Sequence, residues 1–395
     1  MSGDIRVRAY IVGFGDCILV TVPDASAPDN RGVRHILIDF GRAPNDPSSL
    51  DRFPAIAQDI AKECGKRLDL LVMTHEHLDH MEGFYREREV FNQIQVDRVW
   101  MSLPSHPNYY TDYPKAKLQK KLADAVHEFA NVVRHQRLTL HPAFASLLAN
   151  NLANKDRIEY LRNLGKKPVV YLARTKKAGA NPWPSAMKFR ILAPEADTSV
   201  YYATPAGNAL GMALAATSGV PVPVAAKGEF QWDFRDVPRA NGTEQPGFSA
   251  SDFAKLRRTI REDGVAAARF IDRAQNNTSL AFLLEARNKR LLFPGDAELE
   301  SWDLMRKHCS QHLKAVDFLK VAHHGSHNAT PMDMLDTLLP VSRASKAQVL
   351  VSTKRNVYGT KNPVPDADVL KELKKRCSKL VTTDGATGKH VEVHV

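Results

Sequence analysis

Residues 73–83 read "MTHEHLDHMEG" and follow directly on the apolar run "DLLV" of residues 69–72. His75, His77, Asp79 and His80 stand at positions 1, 3, 5 and 6 of a strand-to-loop turn, with Glu76 and Glu82 beside them. Neutral imidazoles and carboxylates are the usual ligands of Zn²⁺ and Mn²⁺. Alternation sets His75 and His77 on one side, which suits one ion. Asp79 and His80 fall where the chain turns toward a second. An incidental polar turn seldom matches this many positions. Glu76 and Glu82 are expected to face solvent.

Working outward, "IRVRAYIVGFGDCILVTV" (5–22) reads as two strands joined at Gly13/Gly15, and "RHILIDFG" (34–41) as a third. "SLDRFPAIAQDIAKECG" (49–65) has helical spacing with Gly65 as a C-terminal stop. "LDLLVMTH" (68–75) and "VDRVWMSLP" (96–104) are strands, the latter halted by Pro104. Helices are expected over 114–164, broken near Pro142, then strands at 167–175 and 187–194. Residues 198–250 are rich in Gly, Pro and Ala and read as a long loop, a lid or a partner-binding segment. A helix is expected over 251–274, with Ser251 as its N-cap. Strand texture resumes at 278–286, 290–296, 316–326 and 347–353, and a basic helix (366–378) and two strands close the chain.

At 395 residues and 43% hydrophobic content the chain can bury a sizeable core. Net charge is +11 and the pI about 9.4, a balance that favours anionic partners, nucleic acid among them. The N-terminus lacks the apolar core of a secretory signal, and no apolar run is long enough to span a membrane. Cys17, Cys64, Cys309 and Cys377 are widely spaced, which reads as reduced thiols and a cytoplasmic protein.

"THEHLDHMEG" resembles the metal-binding signature of the metallo-β-lactamase fold. "HILIDFG" resembles the strand ending in that family's first aspartate, here Asp39, and "LLFPGD" the strand ending in its metal-bridging aspartate, here Asp296. "LKVAHHGS" resembles the strand that delivers the last metal histidine, His323 or His324; His323 is favoured because it comes first after the strand. "GFGDCILV", "NNTSLAFLLE", "LKVAHHGSHNAT" and "VTTDGATGKHVEV" together resemble the hydrolase domain of ComEC-type DNA-uptake proteins. The resemblance covers 5–103 and roughly 276–395.

It implies an αββα sandwich of α/β class: residues 1–103 as the N-terminal half, 104–275 as a large, partly helical insertion, and 276–395 as the C-terminal half. It implies two divalent ions, Zn²⁺ or Mn²⁺, on His75, His77, Asp79, His80, Asp296 and His323, with Asp79, His80, Asp296 and His324 in catalytic roles. Two departures stand out. The interval between the histidine turn and Asp296 has no Gly-His; His106, His127, His135 and His141 occur there in unrelated contexts. Asn276 and Asn277 stand in that region instead, and asparagine is a poor zinc ligand, so the first metal site is expected to be weak, incomplete or manganese-selective. "YGT" stands where relatives often have Tyr-Gly-His, and altered substrate contacts are expected near Tyr358 and Thr360.

Smaller signals surround these. Asp39 is expected to orient the histidine loop, while Asp16 reads as a hairpin-turn carboxylate sooner than as a site-adjacent one. Ser326 and His327 are candidates for phosphate contact. Tyr109, Tyr110 and Tyr113 beside Lys115 and Lys117 resemble a base-stacking platform, or simply pack the insertion. The function expected is metal-dependent hydrolysis of a phosphodiester, DNA first, by a metal-activated hydroxide. The alternatives are a small-molecule hydrolase (cyclic nucleotide, phosphocholine ester, lactam or thioester) and a catalytically quiet subunit that meets a protein partner through the insertion.

Overall fold

The computed structural model describes residues 3–44, 46–117, 120, 149–150, 154–202, 272–357 and 363–395. The helices expected within 114–164 lie mostly outside these residues, as do the 198–250 loop and most of the 251–274 helix. Ser251, His127, His135, His141, Tyr358 and Thr360 also lie outside them.

The fold is mixed α/β with three sheets. The first has seven strands in the order β15-β1-β2-β3-β5-β7-β8: His390–His394, Arg6–Tyr10, Cys17–Pro23, Val33–Phe40, Leu70–Met73, Val99–Ser102 and Val170–Leu172. The second has six in the order β14-β13-β12-β11-β10-β9: Lys379–Thr382, Gln348–Val351, Phe318–Lys320, Lys289–Phe293, Ala281–Ala286 and Met187–Ala193. A two-stranded ladder joins β4 (Arg67–Leu68) to β6 (Gln95–Val96). Within the first sheet β3, β5, β7 and β8 run parallel, and within the second β11 to β14 do. Ligand sites in α/β sheets lie beyond the carboxyl ends of such strands.

Three apolar clusters layer these elements. One interleaves residues of both sheets, such as Val7, Ile36, Val72 and Trp100 with Phe189, Phe282, Phe293 and Phe318. The second lies on the other face of the first sheet, under helix α1 (Phe53–Glu63) and helix α2 (Leu78–Arg86). The third covers the second sheet with the helices Leu299–Cys309 and Ala367–Lys374. α1 docks through Phe53, Ile56, Ala57, Ile60 and Ala61, the spacing of one helical face. Gly65 follows it with φ +59, and the amides of Gly65 and Lys66 return to Lys62 O and Ala61 O, a left-handed helix stop.

Two strands from the 104–275 stretch, β8 and β9, are edge strands of the two sheets, while β15 from the chain's end pairs with β1 in the first. Tyr109 is buried, stacks on Tyr113 at 5.1 Å, and bonds through its hydroxyl to Thr198 and Ala196 O. It packs this region from inside rather than offering an open face. Glu82, expected to face solvent, is buried, because Arg86 and Arg157 take its two oxygens; Glu76 is half-buried. Among the described residues no helix is long and apolar enough to cross a membrane.

Candidate metal centre

Parallel strands from both sheets end at one place. β3 closes with a bulge: Ile38 pairs with Ile18 and Phe40 with Cys17, which leaves Asp39 as the extra residue, at φ +57. The fully buried Asp39 carboxylate accepts from Thr74 N at 2.8 Å and Thr74 Oγ1 at 2.7 Å, just past the end of β5. It also lies 2.8 Å from Nδ1 of His80. This carboxylate fixes the ring so that its other nitrogen, Nε2, points into the group. That nitrogen faces Asp296 Oδ2 at 3.1 Å.

Asp296 follows β11 through Gly295, whose backbone is at φ +60 against Ser279. The Ser279 hydroxyl accepts from Asp296 N at 3.0 Å. One oxygen of Asp296, Oδ1, meets His323 N at 3.2 Å and Lys320 Nζ at 3.5 Å. The other is turned to His80 and His324, 3.3 Å from the latter's Nε2.

After β12 two consecutive non-glycine residues adopt left-handed backbone, His323 at φ 44 and His324 at φ 57. Each such residue costs roughly 1–2 kcal/mol. The result is that adjacent imidazoles diverge, with centroids 6.0 Å apart and planes at 65°. His324 turns inward, fully buried, and its Nδ1 donates to Ser352 O at 2.8 Å. His323 turns the other way, its side chain 21% exposed, with Nδ1 3.6 Å from Glu298. Asp79, His80, Asp296 and His324 therefore form a buried group whose donor atoms all lie within 4.8 Å of one another. The histidine expected in it from sequence, His323, is not a member. Asp79 Oδ1 and His324 Nε2 are buried without a hydrogen-bond partner.

His75 Nε2 and His77 Nδ1 face each other at 3.0 Å, and His75 Nδ1 lies near Thr74 and Ser279. Among the described residues neither belongs to a group of three or more close donors. Asn277 is turned away from them. Its Oδ1 accepts from Glu298 N and Ser301 N, capping the helix at Leu299–Cys309. Asn276 donates to Glu298 at 2.8 Å. Ser326 bonds to Asn328, and His327 is exposed near Asp366.

The electrostatics follow from burial and crowding. Burial opposes charge on His80, but Asp296, Asp39 and Asp79 outweigh it and raise the imidazole well above its usual range. His324 is raised to about 9 in the same way by Asp296 and Asp79. Burial likewise works against ionised Asp79 and Asp296, yet the histidines, joined by Lys320 for Asp296, hold both well below the usual carboxylate range. His75 is lowered well below its usual value by burial and by the neighbouring His80 and His77. Burial raises Glu298 to about 8. Such coupled, perturbed groups gather at functional sites.

Sequence reading did not single out Lys320, which is 1% exposed and ion-paired to Asp16. Its signal was a lysine inside an otherwise apolar strand. Nor did it find Glu298, two positions past Asp296. Asn150 gave no signal; its side chain reaches the backbone of Leu78 and Asp79 from 72 and 71 residues away. Searches with the sequence match no family model and no curated protein.

Proposed function

We propose that this chain is a metal-dependent hydrolase with the metallo-β-lactamase fold, and that it cleaves phosphodiester bonds in nucleic acid, DNA in the first place. One observation carries the reading: two imidazoles and two carboxylates, contributed by distant parts of the chain, converge in a buried group in which Asp79 Oδ1 and His324 Nε2 make no hydrogen bond and only ion-pair contacts of 3.3–3.9 Å. Buried polar atoms without partners are uncommon and call for an explanation, an ion among them. The donor set suits Zn²⁺ or Mn²⁺. Asp79, His80, Asp296 and His324 would hold one ion. His75 and His77 would offer the first two donors to a second, weaker one.

A bound divalent ion supplies Lewis acidity and brings the pKa of a water down to about 7. The chain does the rest. Asp39 and the Ser352 carbonyl fix the ring orientations of His80 and His324. Lys320 and His323 N occupy one oxygen of Asp296 and leave the other turned to the group. His323, the partly exposed imidazole at the edge, contacts a phosphoryl oxygen. The net charge of +11 and the exposed Lys115, Lys117, Lys371 and Lys374 favour a polyanion.

The test is a nuclease assay on single- and double-stranded DNA and RNA. The protein is stripped of metal and resupplied with Mn²⁺, Zn²⁺ or Mg²⁺, with Asp79→Ala alongside. Cleavage that needs metal and vanishes in the variant supports the reading. Metal binding with no cleavage of any polymer sinks the nuclease and shifts the substrate to a small phosphodiester.

A further inference from the structure

We infer that Asn150 is a positioning residue of the metal centre: from the 104–275 stretch, it caps the helix that carries Asp79 and His80 and so keeps the Asp79 carboxylate free for an ion. The inference rests on the metal-binding reading above and adds to it a residue outside the donor set.

The first amides of any helix have no partner within it. In α2 the residue at the capping position is His77, whose side chain makes no capping bond and is turned to His75. Asn150 supplies the missing acceptor. Its Oδ1 lies 2.7 Å from Leu78 N and 3.4 Å from Asp79 N, and the residue is 5% exposed. Asparagine is among the best capping residues because a short side chain carries the acceptor; here the cap comes from far along the chain. The same stretch also holds the preceding loop at Glu76 and the helix itself at Glu82. The Asn154 amide donates to Glu76 O and Asn150 O, and Arg157 pairs with Glu82.

The consequence for Asp79 is competitive. An aspartate in the first turn of a helix can fold back and accept from its own backbone amides. With those amides already satisfied by Asn150, the Asp79 carboxylate has no such pull on it. Its Oδ1 is indeed buried and makes no hydrogen bond, with His80 Nε2 3.9 Å away, while Oδ2 lies 3.5 Å from His324 Nε2.

Asn150→Ala and Asn150→Asp in the full-length chain test this. Three quantities are read: Mn²⁺ and Zn²⁺ affinity by chelator competition, hydrogen exchange of peptides covering 76–82 in the metal-free protein, and thermal unfolding. Asn150→Ala is expected to exchange faster over 76–82 and to bind metal about 10–100-fold more weakly. Asn150→Asp keeps the acceptor oxygen and is expected to restore slow exchange and most of the affinity. Wild-type affinity and exchange in Asn150→Ala would overturn the inference, as would an aspartate no better than alanine. If Asn150→Ala does not fold, Asn150→Gln replaces it, since its amide is set one methylene too far out, and the same criteria apply. Should the wild type bind no metal, the metal reading fails on its own, and the exchange arm still decides whether Asn150 holds this helix.

Discussion

Asp39 Oδ2 sits 2.8 Å from Nδ1 of His80, and the same carboxylate holds both the amide and the hydroxyl of Thr74. One buried side chain thus ties the end of β3 to the end of β5 and to the first turn of α2. Asp39→Asn keeps the shape but removes the charge that fixes the ring. Metal affinity is expected to fall by about 10–100-fold, with the fold retained. Calorimetric titration with Mn²⁺ and Zn²⁺ checks this, and an unchanged affinity would show that His80 needs no such support.

His323 and His324 are neighbours in sequence with opposite surroundings. His324→Ala removes a member of the buried group and is expected to abolish stoichiometric metal binding there. His323→Ala is expected to keep the metal and lose turnover. Elemental analysis of both variants, beside their activity, separates the roles; a reversed pattern would return the ligand to His323.

Lys320 is a cation sealed among carboxylates. Burial opposes its charge, but Asp16 and Asp296 outweigh burial and raise it above the usual lysine range. Removing one member of such a buried set leaves the others uncompensated, at a cost of about 3–5 kcal/mol. Lys320→Met should therefore lower the denaturant midpoint strongly. Adding Asp16→Asn should recover part of the loss, because the two sites share one interaction. Additive losses would mean that the pair is not coupled.

Gly41 leaves no room for a side chain. A Cβ there would run into the backbone of Leu78, Asp79 and His80. Gly41→Ala must push α2 outward, with an expected loss of about 1–3 kcal/mol and, on the proposed reading, a drop in metal content. Thermal unfolding and elemental analysis read both effects together.

His35 offers a pH dependence away from the centre. Burial lowers its imidazole from 6.5 to about 4, against the opposing pull of Asp69. Between these values the unfolded chain takes up a proton that the native fold refuses. The stabilisation is complete above 6.5 and is lost as pH falls toward 4, about 3 kcal/mol in all. His35→Asn should flatten this part of the stability curve in urea titrations. An equal slope in the variant would assign the acid sensitivity elsewhere.

The sequence by itself determined the local pieces. Apolar runs marked the strands that lead to Asp39, Thr74 and Asp296, and α1 showed its 3.6-residue face and its Gly65 stop. The ligand-type residues 75–80 were visible because they are contiguous. Only the tertiary structure decided which of these side chains meet. It turned His324 rather than His323 into the buried group through two left-handed residues that no periodicity encodes. It left Asn277 capping a helix, buried Glu82 between two arginines, and brought in Lys320 and Asn150. These outcomes rest on contacts between segments up to hundreds of residues apart, where burial and hydrogen-bond satisfaction, rather than local propensity, set the orientation of each side chain.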